Sequence, residues 1–274
     1  MGRNLFIGPP GGLWEIDRAA KSFDRAADLG VSEFQSIGGR VTVMRRPNAV
    51  RRVKLSWDAL EPAKAKILDR LARRTDGNGP LALIDPTTAN MLDARAATGK
   101  GDRGAAGLGQ WFVSGVGGSL IETSPGVFSV KADDAVNATV GWNAPRWYGF
   151  PVAPGMRVSF RAPSAIAALA ARSVQLDFKD VAGVLISSVN AAAAYVAGTV
   201  PAGAAFVTPT ARPGVAGTYS LGGACLSYDD GAAAGIPGEG CPPMVITGYT
   251  DSPTKPYPYR SVSIDLVEVS SAAV

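Results

Sequence analysis

Histidine is absent from this sequence of 274 residues, and cysteine occurs only as Cys225 and Cys241. Without histidine, a serine or cysteine nucleophile lacks its usual general base, and most zinc, haem and non-haem iron sites lack ligands. Because no secretion signal is recognisable, we expect the two cysteines to be reduced thiols rather than a disulfide. The composition predicts a protein that is not an enzyme and that has no metal or other cofactor.

Long apolar runs are missing as well. No stretch approaches the ~20 apolar residues that cross a bilayer, and Leu5-Phe6-Ile7 is too short for the apolar part of a signal peptide. Phe6 stands where a myristoylation signal has Ser or Thr. We therefore expect no targeting segment and no membrane insertion.

Charge is scarce, at 18% of residues with a net charge of +4, which is too small to demand a nucleic-acid partner. Residues 1–110 contain 18 basic against 12 acidic residues, and residues 111–274 contain 9 against 11. This asymmetry suggests two domains in different surroundings. In the basic half, Arg45-Arg46 and Arg51-Arg52 are candidates for an oligomer interface with an acidic neighbouring subunit; the alternative is an ordinary charged strand face.

Glycine (33) and proline (20) are abundant, which favours short strands and turns over long helices. In the first part, residues 34–44 read as two alternating strands around Gly38-Gly39, and Val53, Leu55 and Trp57 share one strand face. One helix is predicted next, with Asp58 as its cap and Glu61 completing a capping box. The apolar stripe of this helix consists of Leu60, Ile67, Leu68 and Leu71. The helix is predicted to end at the segment from Gly77 to Pro80. A buried strand is predicted to follow, from Leu81 to Ile84.

Residues 93–110 lack a periodic apolar face, so we expect a flexible connection with a domain boundary near Gly104. Beyond it, short strand patterns recur up to the clearest one, residues 260–269. The predicted fold is mainly β. It has an N-terminal β-barrel or sandwich with one helix (residues 1–104) and a C-terminal antiparallel jelly-roll sandwich (residues 105–274).

Carboxylate pairs occur at Asp133-Asp134 and Asp229-Asp230. Glycoside hydrolysis needs two carboxyl groups that face each other across a cleft. Adjacent strand residues point to opposite faces, so both pairs are interpreted as exposed turns.

An aromatic cluster around residues 142–150 is the best candidate for ligand binding. Sugar rings stack on exposed aromatic rings, and neighbouring polar side chains orient the hydroxyl groups. The candidate glycan site consists of Trp142, Asn143, Arg146, Trp147 and Tyr148. In the alternative, the aromatic residues fill the sandwich core or pack against the first domain.

Three short motifs carry a family resemblance: Lys54-Leu55-Ser56-Trp57 before the helix, the Gly79–Pro86 segment that ends in Asp-Pro, and Asn90-Met91-Leu92. Together with the ending from Pro256 to Val269, they resemble minor tail proteins of long-tailed phages that infect actinobacteria, of the distal-tail kind. The resemblance covers essentially the whole chain.

The resemblance implies a virion tail protein, assembled in the host cytoplasm, whose first domain forms a ring, a hexamer or a related order matching the tail tube. Its partners would be copies of itself, the tail tube protein, the tape measure and other tail-tip proteins. The second domain resembles galectin-like or carbohydrate-module-like sandwiches. The alternative function is therefore a module that binds host cell-wall carbohydrate during adsorption.

Overall fold

Two compact units make up this chain in a computed structural model that describes residues 4–17, 20–45, 49–77, 79–133, 138–144 and 146–269. The sheet unit comprises Asn4–Pro9, Trp14–Leu83 and Pro242–Val274, and the sandwich unit comprises Pro10–Leu13 and Ile84–Cys241. Strands dominate both units, and neighbouring strands within each unit pair mostly in antiparallel fashion. The predicted mainly-β fold is confirmed.

The elements up to residue 84 are β1 (Leu5–Gly8), β2 (Trp14–Ile16), β3 (Ser22–Asp28), β4 (Val31–Gln35), β5 (Val41–Arg45), β6 (Val50–Leu60), α1 (Pro62–Ala72) and β7 (Leu81–Ile84). Those up to residue 161 are α2 (Ala94–Thr98), a 3₁₀ helix (Gly104–Gln110), β8 (Trp111–Ser114), β9 (Gly118–Ser124), β10 (Val127–Ala132), β11 (Thr139–Trp142), β12 (Phe150–Pro151) and β13 (Arg157–Arg161). The remainder are α3 (Ser164–Ala167), β14 (Ser173–Lys179), β15 (Leu185–Ala191), β16 (Tyr195–Thr199), β17 (Phe206–Arg212), β18 (Gly217–Ser220), β19 (Cys225–Ser227), β20 (Pro243–Pro253) and β21 (Arg260–Glu268).

A seven-stranded sheet in the order β2-β1-β7-β20-β21-β6-β3 forms the sheet unit. Along β6 the buried positions alternate at Val53, Leu55 and Trp57, as predicted, because successive side chains of a strand point to opposite faces. The helix α1 buries Ala65, Leu68 and Leu71 in the same core. It is joined to the sheet by the Tyr249 hydroxyl, which donates to the Ala65 carbonyl at 3.4 Å.

The helix begins and ends at residues other than those predicted. Asp58 lies within β6 and is not the cap, because pairing with β21 keeps the chain extended as far as Leu60. Pro62 then begins the helix, with Glu61 as N-cap, since proline fits the first helical position. The helix ends before Gly77: Ala72 is its last residue, and Arg74 takes the left-handed conformation (φ 57°). In the described part of the chain no helix has the length and apolarity to cross a membrane.

The predicted domain boundary near Gly104 does not match the division of the structure. The first crossing from sheet unit to sandwich unit after α1 lies between Leu83 and Ile84, and the return lies between Cys241 and Pro242. The final strand, β21, pairs with β6, about 200 residues earlier in the chain, and so belongs to the sheet unit. Local patterns predicted the strand but carried no information about this distant partner.

The expected flexible connection at residues 93–110 is instead ordered secondary structure. The Asp93 carboxylate accepts a hydrogen bond from the Ala96 amide at 2.7 Å and caps α2, which Gly99 ends in the left-handed conformation (φ 69°). Lys100 then forms a bridge with Val127. The Asp93 cap, the burial of Ala96 and Ala97 and the bridge to Val127 hold the segment in the sandwich unit.

Three sheets build the sandwich unit. The largest has the order β15-β14-β17-β11-β8, with β12 paired to β17, and the two smaller sheets are β18-β10-β9 and β16-β13-β19. Aromatic pairs join the layers: the rings of Trp111 and Phe128 are 5.5 Å apart, and those of Trp142 and Phe160 are 5.0 Å apart. Cys225 and Cys241 are present as thiols.

Candidate functional sites

The hairpin formed by β4 and β5 is the most exposed apolar feature of the sheet unit. All five residues of β4 are exposed. Phe34 is 69% exposed and Met44 is 72% exposed. The turn between the strands is closed by the Ser36 amide, which donates to the Arg40 carbonyl at 2.9 Å, and Gly39 supplies the left-handed residue (φ 81°). The alternating sequence predicted this hairpin correctly, but it did not predict that the apolar side chains would face solvent.

Both faces of the hairpin carry exposed apolar side chains. Phe34 is opposite Thr42 and Ser32 is opposite Met44, so Phe34 and Met44 share one face. Exposed valines occupy the other face: Val31, Val41 and Val43. A two-stranded hairpin in water is at best marginally stable by itself. A surface of this kind is typical of a segment that a partner covers.

Of the four arginines predicted for an oligomer interface, the structure describes three, and they lie on two different strands. Arg45 is the last residue of β5, and Arg46 lies outside the described residues. On β6, the Arg52 guanidinium donates to the Asp28 carboxylate of the neighbouring strand at 3.0 Å, and the Arg51 amide donates to the Glu268 carboxylate at 3.1 Å. The Arg52 contact is that of a charged strand face, whereas the Arg51 contact is made by its backbone amide, so the interface role of Arg51 stays a prediction.

The prediction that the Trp142 ring stacks on a glycan is wrong. Its side chain is fully buried, its ring packs against Phe160, and its indole N–H donates to the Ala96 carbonyl at 3.3 Å. Trp142 lies opposite Trp111 in the pairing of β11 with β8, and both rings face the smaller sheets. The register of β11 therefore places Trp142 in the core.

The other four predicted glycan residues lie in the loop that follows β11. Asn143 donates from its side chain to the Gly109 carbonyl at 3.4 Å, and Arg146 and Trp147 are half-buried. Tyr148 is 64% exposed, and its ring meets that of Phe206 edge-on at 6.2 Å. The Tyr148 carbonyl accepts hydrogen bonds from the side chains of Lys179 and Thr208. The loop is thus tied to the six-stranded sheet, and only Tyr148 presents a well-exposed ring.

The carboxylate pairs are engaged in local structure. The Asp229 carboxylate accepts from the Ser227 hydroxyl at 2.6 Å and from the Gly231 amide at 2.8 Å, a turn arrangement. The hydrogen bond to Asp230 raises the pKa of Arg157 above its usual value. Asp133 pairs with Lys131 at 2.9 Å, and Asp134 lies outside the described residues. Over the described ranges, acidic and cysteine side chains form no group of three that could hold a metal ion.

Comparison with known proteins gives little to add to this geometry. No family model matches the sequence, and no curated protein matches it. Among solved structures, an arabinose-bound α-L-arabinofuranosidase, MgGH51, matches with a TM-score of 0.29 and 14% identity, over 56% of this chain. The match spans 28% of that enzyme's length. A likeness of this size carries no conclusion about fold or activity.

Proposed function

We propose that this chain is a non-catalytic structural subunit of the tail tip of a long-tailed phage, and that it associates with copies of itself into a ring. The resemblance of residues 54–92 to distal-tail proteins motivates the proposal. The observation that carries it is the hairpin of β4 and β5, whose two faces both expose apolar side chains to solvent. Burying those side chains against a neighbouring copy would stabilise the hairpin.

The strand order of the sheet unit also supports a ring, because its two outermost strands are different. In the described residues, β2 and β3 are the outermost strands of the seven-stranded sheet. Head-to-tail contacts between different surfaces of identical subunits generate a closed ring when the rotation closes. Two different outer strands and a separate apolar hairpin give one subunit the distinct surfaces that such a contact needs.

The test uses the purified full chain and intact virions. Light scattering after size-exclusion chromatography should give a mass that is a multiple of the 28.2 kDa chain, and electron micrographs should show rings. Labelled antibodies should mark the tip of the tail. A protein that stays monomeric at high concentration and is absent from the virion would contradict the proposal.

A pair of variants isolates the hairpin. Phe34→Ser combined with Met44→Ser removes one apolar face and should shift the protein from ring to monomer. The matched control, Val116→Ser combined with Val184→Ser, removes two exposed valines from the sandwich unit and should leave the ring intact. Rings that persist in the first variant would show that the hairpin is not the contact.

A further inference from the structure

A shallow polar groove lies on the outward face of the six-stranded sheet of the sandwich unit. Its volume is about 320 Å³, and its polar lining comes from four neighbouring strands: Thr139, Ser173, Gln175, Asn190, Thr210 and Arg212. We call it the sheet groove. It shares no residue with the predicted glycan cluster at 142–148, and it goes beyond the proposed assembly role without depending on it.

The strand register places the polar side chains of the groove in one row. Gln175 of β14 is opposite Asn190 of β15 on one side and opposite Thr210 of β17 on the other. Thr210 is in turn opposite Gly141 of β11. Neighbouring strands are about 4.8 Å apart. The row therefore presents hydrogen-bonding groups at regular intervals of this length.

An aromatic ring ends the row. Gly141 is opposite Phe112 of β8, and a Cβ atom at Gly141 would lie 2.1 Å from Cζ of Phe112. The ring of Phe112 therefore lies directly over the bare backbone of Gly141, which no larger residue would permit. Phe112 is not itself a lining residue of the groove, but it follows Thr210, which is one, along the same row of strand partners.

The Gln175 side chain is held in place before any ligand arrives. The Gln175 amide nitrogen donates to the Asp177 carboxylate at 2.6 Å, and the Ser188 hydroxyl donates to the same carboxylate at 2.6 Å. Thr210 is 6% exposed and forms part of the floor. Fixed side chains lose little conformational entropy on binding, so weak individual contacts can add up.

We propose that the sheet groove binds a saccharide. Gln175, Asn190 and Thr210 supply donors and acceptors for ring hydroxyl groups, and Phe112 supplies an apolar surface for the C–H face of a sugar ring. A hydrophobic small molecule needs a mostly apolar pocket, and a nucleic-acid strand needs a basic track for its phosphates. The groove has neither, since its one charged lining residue is Arg212.

The binding test uses the full chain on an immobilised panel of peptidoglycan glycan strands, a neutral glucan and a galactan. Binding to at least one of these saccharides is expected. Gln175→Ala and Asn190→Ala each remove a side chain that hydrogen-bonds a hydroxyl group and should weaken that binding up to about tenfold. Phe112→Leu keeps apolar bulk but removes the aromatic face, and it should weaken binding as well.

The control is Tyr257→Ala, which removes an exposed aromatic ring from the sheet unit and should bind as the unaltered chain does. Circular dichroism and thermal melting establish that each variant is folded before binding is compared. The proposal is overturned if the unaltered chain binds none of the three saccharides. It is also overturned if the variants at Gln175, Asn190 and Phe112 bind normally or if Tyr257→Ala alone abolishes binding.

Discussion

Replacement of Asn90 by alanine tests how the sandwich unit holds the segment that follows β7. Asn90 is fully buried and its side chain makes four hydrogen bonds. The amide nitrogen donates to the carbonyls of Ala224 and Ile236, both at 3.0 Å. The carboxamide oxygen accepts from the amides of Leu92 and Leu226, both at 3.1 Å. One side chain thus joins three separate chain segments.

The expected loss of unfolding free energy follows from those four hydrogen bonds. Each is worth about 0.5–1.5 kcal/mol net, and Asn90→Ala leaves the four backbone partners buried without this side chain, so the free energy of unfolding should fall by about 2–6 kcal/mol. Domains are stable by about 5–15 kcal/mol in total. With a urea slope of about 2 kcal/mol/M, the unfolding midpoint should fall by about 1–3 M.

Asn143→Ala is the matched control, because Asn143 is half-exposed and its side chain donates one hydrogen bond of 3.4 Å. It should cost under about 1.5 kcal/mol. Urea unfolding followed by fluorescence and by hydrogen exchange of sandwich-unit amides measures both variants. If Asn90→Ala is no less stable than Asn143→Ala, the buried Asn90 side chain does not hold the three chain segments together.

Two further predictions concern the sandwich unit. Hydrogen bonds from the Gly126 and Gly104 amides lower the pKa of Glu122 below its usual value of 4.5. Because the pKa of Glu122 is lower in the folded protein, its ionised carboxylate contributes to the stability of the fold. That contribution is present above pH 4.5 and is lost as the pH falls through the lower folded-state pKa. Glu122→Gln should therefore flatten the acid dependence of the melting temperature, and equal acid curves for the variant and the unaltered chain would refute the assignment. Tyr228→Phe removes the buried hydroxyl that donates to the Pro151 carbonyl and should cost about 1–3 kcal/mol in urea unfolding; an unchanged midpoint would show that the carbonyl finds another partner.

Local patterns in the sequence predicted the elements whose formation depends on neighbouring residues. The alternation of Val53, Leu55 and Trp57 identified a strand face, and the buried strand β7 was recognised from its continuous apolar run. The pairing of β6 with β21 was not predictable, because β strands of any separation can pair and local periodicity does not name the partner. For this reason the domain boundary was wrong.

The candidate sites, like the domain boundary, depend on strand pairings between residues that are distant in the sequence. Trp142 was assigned to a surface because it lies in an aromatic cluster, whereas strand register places it in the core. The sheet groove draws Gln175, Asn190 and Thr210 from three strands, and each is an ordinary polar residue in its own stretch of sequence. Only the register brings them into one row. A sequence signal exists at Gly141, a glycine inside a strand pattern, which marks a close approach.

The insertion of the sandwich unit into the sheet unit has a consequence for synthesis. The strands β20 and β21 are central in the seven-stranded sheet, yet they follow the whole sandwich unit in the chain and are synthesised after it. Until then, β7 and β6 lack the neighbours that separate them, and their unpaired backbone edges invite intermolecular pairing. The strands of the inserted unit are complete earlier, so a nascent chain passes through a stage with a finished sandwich and a sheet in two halves. Unpaired strand edges exposed at that stage favour aggregation.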